Sequence, residues 1–278
     1  MKALHLSYST CPNDTFMFDA LVNGKINRGD LKFIVHLADI EELNQRAGQG
    51  IPDVTKLSIA AVANVAGEYE LLRSGAAIGF GNGPLLVSKR KIFPDELKDV
   101  RIAIPGEKTT ANLLLKILFP EASNKHEYLF SAIEEVVLDN ECDAGLLIHE
   151  TRFTYESRGL KKIVDLGEEW EKKTGLPVPL GGIVVRKSLP AEVKKVLGEL
   201  LSESVRFALD HPDEPLSYMK QHAQELSGEV IYKHVNLYVN EFSVRMGPDG
   251  ENAVLTLLGK AAEAGILPHA GHDIFVKD

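Results

Sequence analysis

The 278-residue chain has only two cysteines, Cys11 and Cys142, too few for a disulfide framework, so reduced thiols are expected. It has no apolar span of 18 residues, which excludes a membrane-spanning helix. The apolar stretch after Lys2 is shorter than the roughly 7–15 residues of a secretory signal core. A soluble, cytoplasmic protein with no membrane partner is the expectation. Positive charge is also scarce: 31 Lys and Arg stand against 40 Asp and Glu, a formal charge of -9. The nearest approach to a basic run, "KSLPAEVKK" at 187–195, is diluted by Glu192. No basic stripe exists to track a phosphate backbone, so nucleic acid is not an expected partner. Low-complexity tracts are missing too, and 44% hydrophobic residues suffice for a folded core.

Several catalytic signatures are absent as well. There is no Walker A motif and no G-x-S-x-G elbow. "GFGNGP" (79–84) is followed by Pro84 and a strand-like run instead of a helix, so it reads as a hinge or tight turn, not a dinucleotide loop. "HET" at 149–151 is not completed to H-E-x-x-H, because Phe153 occupies the last position. His269 and His272 form a lone pair with no third metal ligand in view.

What is present is an alternation of strand and helix patterns. "ALHLSY" (3–8), "LKFIVHL" (31–37), "LLVSK" (85–89), "VRIAIPG" (100–106) and "AGLLIH" (144–149) have strand length and apolarity. "NDTFMFDALVNG", "DIEELNQRAGQG" and "TANLLLKILF" have helical spacing, and from "LPAEVKK" onward the chain is almost wholly helical. This predicts an α/β fold with a mostly parallel sheet. The two stretches richest in Gly and Pro, 75–85 and 174–182, predict two crossovers. Residues 86–176 then form an inserted α/β domain, and 1–85 with 177–278 form a larger discontinuous one. Two crossovers of this kind enclose a cleft suited to a small molecule.

Three junctions from strand to helix are unusually polar. "STCPNDT" (9–15) presents free helix N-terminal amides together with Ser9, Thr10, Cys11, Asn13, Asp14 and Thr15. A helix cap accounts for one of these residues, not for all. Cys11 is either a buried structural thiol or a thiol activated at a helix start. "TKLS" (55–58) places Lys56 as a point charge for a carboxylate, or as a solvated surface group, with Ser58 as a cap. "PGEKTTAN" (105–112) places Thr109 and Thr110 at a helix start. His149, at the end of a hydrophobic strand, is either structural or a general base, since an imidazole with an ordinary pKa near 6.5 takes a proton at neutral pH.

The motifs "SYSTCPNDTFMF", "TKLS", "GEKTTA", "GLLIHETRFTY" and "GLPVPLGG", in this order, resemble the 1,4-dihydroxy-6-naphthoate synthase family of the futalosine route to menaquinone. The resemblance spans nearly the whole chain. It implies a fold like that of type 2 periplasmic binding proteins, with two α/β domains closing on a ligand. It also implies conversion of cyclic dehypoxanthinyl futalosine, a small anionic substrate, to 1,4-dihydroxy-6-naphthoate without metal or redox cofactor. By the same resemblance His149 is the proton acceptor, and Lys56, Leu57, Ser58, Thr109 and Thr110 contact substrate. Lys56, Arg152 and the helix N-termini are the candidate partners for the substrate carboxylate. A solute-binding protein of the same fold and a chorismate dehydratase of the same pathway are the rival readings.

Overall fold

The computed structural model describes residues 3–223 and 227–277, and they divide into two compact units. The first takes in the chain up to Gly79 and from Pro179 onward; the second is Phe80–Val178. Residues 80–85 and 177–178 thus belong to the second unit, although the Gly and Pro pattern assigned them to the first.

The first unit is built on strands β1 (Leu4–Tyr8), β2 (Phe33–Leu37), β3 (Val54–Ser58), β4 (Tyr69–Leu71), β5 (Ala77–Gly79) and β11 (Val178–Arg186). They pair in the order β2-β1-β3-β11-β4, with β5 alongside β11. Helices α1 (Pro12–Val22), α2 (Ile40–Gly48) and α3 (Ile59–Val65) follow the first three strands. The C-terminal run supplies α7 (Ala191–Asp210), α8 (Leu216–His222), α9 (Gly228–Tyr238), α10 (Glu241–Val244) and α11 (Gly247–Glu263). β1 and β2, and β1 and β3, are parallel, whereas β11 runs antiparallel to both β3 and β4. The sheet is therefore mixed, which corrects the mostly parallel expectation. A chain that leaves the unit and re-enters it brings β11 back from the opposite direction. The core of this unit joins Leu6, Tyr8 and Phe16 to Leu201, Val205 and Val235 from the C-terminal helices. α1 is buried along almost its whole length, because sheet and helices cover it from both sides.

The second unit holds β6 (Leu85–Ser88), β7 (Ile102–Ile104), β8 (Lys125–Glu127), β9 (Ala144–Leu147) and β10 (Lys161–Asp165), in the order β10-β6-β9-β7-β8. Its helices are α4 (Thr110–Leu118), α5 (Ile133–Leu138) and α6 (Leu166–Thr174). This sheet is mixed too: β6 is antiparallel to β9 and β10, and β7 is parallel to β8 and β9. Leu85, Val87, Ala103, Ile133 and Leu147 are among the residues of its core. Gly83 and Gly167 pack backbone to backbone. A Cβ on Gly83 would stand 2.3 Å from the Gly167 Cα, so glycine here serves close approach. Among the described residues no helix is long and apolar enough to cross a membrane.

Candidate active site

Two of the three polar junctions are neighbours in the first unit. β1 and β3 pair in parallel with Ser7 opposite Thr55, so the chain turns from β1 into α1 beside the place where β3 turns into α3. Carboxyl ends of adjacent parallel strands gather ligands in α/β proteins. The third junction, from β7 into α4, lies in the second unit. The three junctions are thus divided between the two sheets.

Asp14, in the first turn of α1, organises the first cluster. Its Oδ2 accepts from the Ser9 amide (3.2 Å) and hydroxyl (2.7 Å). Its Oδ1 accepts from the Asn13 Nδ2 (2.8 Å) and the Lys56 ammonium (2.6 Å). A carboxylate offers about four acceptor positions, and all four are taken. The side chains of Asp14 and Lys56 are 1% and 6% exposed, so this is a buried ion pair. Lys56 is therefore neither a solvated surface group nor a free point charge.

A second buried link ties this cluster to the C-terminal helices. His234 on α9 lies 2.8 Å from the Asn13 Oδ1 through its Nε2, and its ring rests against Tyr238 at 4.5 Å. Because the Asn13 Nδ2 is committed to Asp14, its Oδ1 is the acceptor, which assigns the His234 proton to Nε2. Nothing in the sequence of α9, an amphipathic pattern, marks His234 as a member of the cluster. Tyr8, at the end of β1, stacks on Phe18 at 4.3 Å and shares a 2.5 Å hydroxyl contact with Tyr218. Burial pushes the Tyr8 phenol pKa well above its ordinary value, so Tyr8 serves as a neutral wall.

Ser58 occupies the N-cap position of α3 but does not cap it. Its hydroxyl accepts from the Asn44 Nδ2 (3.2 Å), and its amide donates to the Asn44 Oδ1 (3.0 Å), so the buried Asn44 of α2 grips it from both sides. The Leu57 side chain is fully buried, and its backbone pairs with Gly182 of β11. Gly181, opposite Ser58, is what lets Lys56 lie where it does: a Cβ there would stand 2.8 Å from the Lys56 Cε.

In the second unit Thr109 is the N-cap of α4. It accepts from the Asn112 amide (3.2 Å) and donates to the Gly106 carbonyl (2.8 Å), which leaves one lone pair. Thr110 is the first residue of α4 and is buried. His149 is not on a strand. β9 stops at Leu147, and His149 opens a 3-10 turn over His149–Phe153 with φ 61°. That left-handed backbone is costly for a residue with a Cβ and occurs disproportionately at functional positions. Its ring is half-buried and meets the face or edge of Phe130 at 4.9 Å and 70°. The Thr151 hydroxyl donates to the Ile148 carbonyl (2.8 Å) and closes the turn.

Arg152 is committed elsewhere. Its guanidinium donates to the Gly83 carbonyl and to the Asp165 Oδ2 (3.1 Å), while the Asp165 Oδ1 caps α6 through the amides of Gly167 (2.8 Å) and Glu168 (3.2 Å). Arg152 thus braces the second unit, and its expected place beside a substrate carboxylate is not supported by this pairing. Cys11 and Cys142 are both buried and form no disulfide, and burial pushes the Cys142 thiol up. Among the described residues no group of three or more His, Cys, Asp or Glu is arranged to hold a metal ion.

Two mixed α/β units linked by two crossovers, each with a polar cluster where strand passes into helix, have a fold like that of the periplasmic binding proteins. A Candida albicans protein described as having the generic periplasmic binding protein fold aligns with a TM-score of 0.71 at 14% identity, over 99% of this chain and 94% of that one. The chain belongs to the menaquinone biosynthesis family, whose model matches residues 4–263. It is 45% identical to a Thermus thermophilus protein named 1,4-dihydroxy-6-naphtoate synthase, over 99% of this chain and 100% of that one. The crystal structure of AF1704 from Archaeoglobus fulgidus aligns with a TM-score of 0.90 at 36% identity, over 95% of this chain and 98% of that one.

Proposed function

We propose that this protein is a cytoplasmic lyase that converts cyclic dehypoxanthinyl futalosine to 1,4-dihydroxy-6-naphthoate by base-catalysed carbon–carbon cleavage, with release of the dihydroxylated, sugar-derived fragment as the second product. His149 takes the proton. Lys56, Leu57, Ser58, Thr109 and Thr110 hold the substrate. Leu57 acts through its backbone, since its side chain belongs to the core.

The single observation that carries the reading is His149 itself. It is an imidazole kept at a left-handed backbone position beside Phe130, within a chain whose full-length relative is named for this synthesis. Cleavage that ends in an aromatic ring is driven by aromatisation. The protein then has to remove a proton and hold the substrate in register, and a positioned base supplies roughly 10² to 10⁴-fold of the rate. Lys56 adds a buried donor: one N–H goes to Asp14, and the ammonium has no other acceptor among the described residues. Asp14 itself is unsuited as the base, because every acceptor position it has is filled.

The test is incubation of the purified protein with cyclic dehypoxanthinyl futalosine, read by mass-resolved chromatography, with His149→Asn alongside. Asparagine tolerates the left-handed backbone, so this variant isolates the imidazole from the fold. Product from the wild type, and at least about 100-fold less from the variant, is the expected result. A folded wild type that yields no product overturns the reading and favours a non-catalytic solute-binding protein of the same fold.

A further inference from the structure

The Lys56 ammonium poses a question that the proposed reaction leaves open. It is 6% exposed, it donates to Asp14 at 2.6 Å, and its other two N–H groups have no acceptor among the described residues. Buried donors without acceptors are rare and call for a partner. A ligand oxygen is one, and the chemistry of the pair says which kind.

We infer that Lys56, held by Asp14, reads an uncharged oxygen of the substrate, a carbonyl or a hydroxyl, and does not bind its carboxylate. The inference rests on the proposed function and concerns the same site. The Asp14 carboxylate already neutralises the ammonium, so the pair carries no net charge toward a ligand. A second carboxylate on the same ammonium would lie within a few ångström of the first in a low-dielectric surrounding, where like charges repel strongly. An uncharged oxygen meets the two remaining donors without that repulsion, in the strong class of hydrogen bonds that a charged donor makes.

Asp14 cannot swing away to relieve such a clash. Ser9 holds its Oδ2 with two hydrogen bonds, Asn13 holds its Oδ1, and His234 holds Asn13. Gly181 fixes the other side, since any Cβ there would displace the Lys56 stem. Asp14, Asn13, His234 and Gly181 are thus positioning residues, which act through Lys56.

The experiment is isothermal titration, under anaerobic conditions, of 1,4-dihydroxy-6-naphthoate and of 1,4-dihydroxynaphthalene, the same ring system without the carboxylate. Lys56→Met alone leaves the Asp14 carboxylate buried without its counter-ion. The double variant Asp14→Asn/Lys56→Met removes both charges, and Gly181→Ala keeps both while moving the ammonium. Circular dichroism checks that each is folded. The expected result is that both variants weaken both ligands by the same factor, about 10- to 100-fold. In Asp14→Asn, where the ammonium regains its net charge, the carboxylated ligand should gain relative to the neutral one. A loss confined to the carboxylated ligand overturns the inference while leaving the proposed function standing. A wild type that binds neither ligand overturns the proposed function, and the inference with it.

Discussion

Replacing Asp14 by asparagine preserves the shape of the side chain and removes its charge. The amide nitrogen must then face either the two donors of Ser9 or the donors of Asn13 and Lys56, because all four acceptor positions of the native carboxylate are in use. Whichever way it turns, donors oppose donors and the Lys56 ammonium stays buried without a counter-ion. Breaking one side of a buried pair costs about 3–5 kcal/mol. For a unit of this size that is a fall in Tm of roughly 6–20 °C. Lys56→Met should cost less, because Ser9 and Asn13 still solvate the remaining carboxylate. The double variant should lose less than the sum of the two, with a coupling of about 1–3 kcal/mol.

Urea unfolding followed by circular dichroism is the appropriate assay. The only tryptophan, Trp170, lies on α6 in the second unit and would report on the wrong half. Strict additivity of the two single variants, or a loss below about 0.5 kcal/mol in Asp14→Asn, would refute the argument that the pair is buried and mutually dependent.

His149→Gly removes the imidazole and the left-handed strain together. Relief of about 1–2 kcal/mol offsets the 0.5–1 kcal/mol of added chain freedom, so Tm should stay within a few degrees while activity is lost and partly returns with added imidazole. Gly83→Ala should destabilise the second unit by about 1–3 kcal/mol, read from Trp170 fluorescence, because its Cβ meets the Gly167 backbone at 2.3 Å and backbone cannot yield as a side chain can. Burial raises the Glu134 carboxyl pKa, with Arg158 at 4.0 Å opposing the rise. The folded chain therefore holds that proton longer than the unfolded one, and stability falls as pH climbs from the ordinary carboxylate range through the raised value. Glu134→Gln removes this dependence. Its Tm should exceed that of the wild type at pH 7, by the equivalent of about 1 kcal/mol, and converge with it near pH 4.

Local chemistry was legible in the sequence wherever it acts over a few residues. Asp39 caps α2 through the amides of Glu41 and Glu42, Thr109 caps α4, and α1 stops at Asn23 before the left-handed Gly24, all as the one-dimensional pattern implies. What the pattern concealed is set by distant partners. Lys56 stands 42 positions from Asp14, and His234 stands 221 from Asn13, so no spacing rule relates them. The clearest case is β11. Its "VPLGG" reads as a breaker when Gly and Pro are scored alone, and the residues from 174 to 182 therefore looked like a hinge. In the fold the crossover comes first, at Val178, and Gly181 belongs to a nine-residue strand. It is glycine because the Lys56 stem crosses the strand there, a demand made by a side chain on a neighbouring strand and not by the local backbone. The same logic explains His149, whose strand-like approach ends two residues early. The left-handed turn that follows is uncommon for a residue with a Cβ; Thr151 closes it locally and Phe130 packs against it from elsewhere in the unit. Where this sequence misleads, a residue is obeying a tertiary neighbour over its local rule, and both instances fall on residues assigned to the chemistry or on the one that positions them.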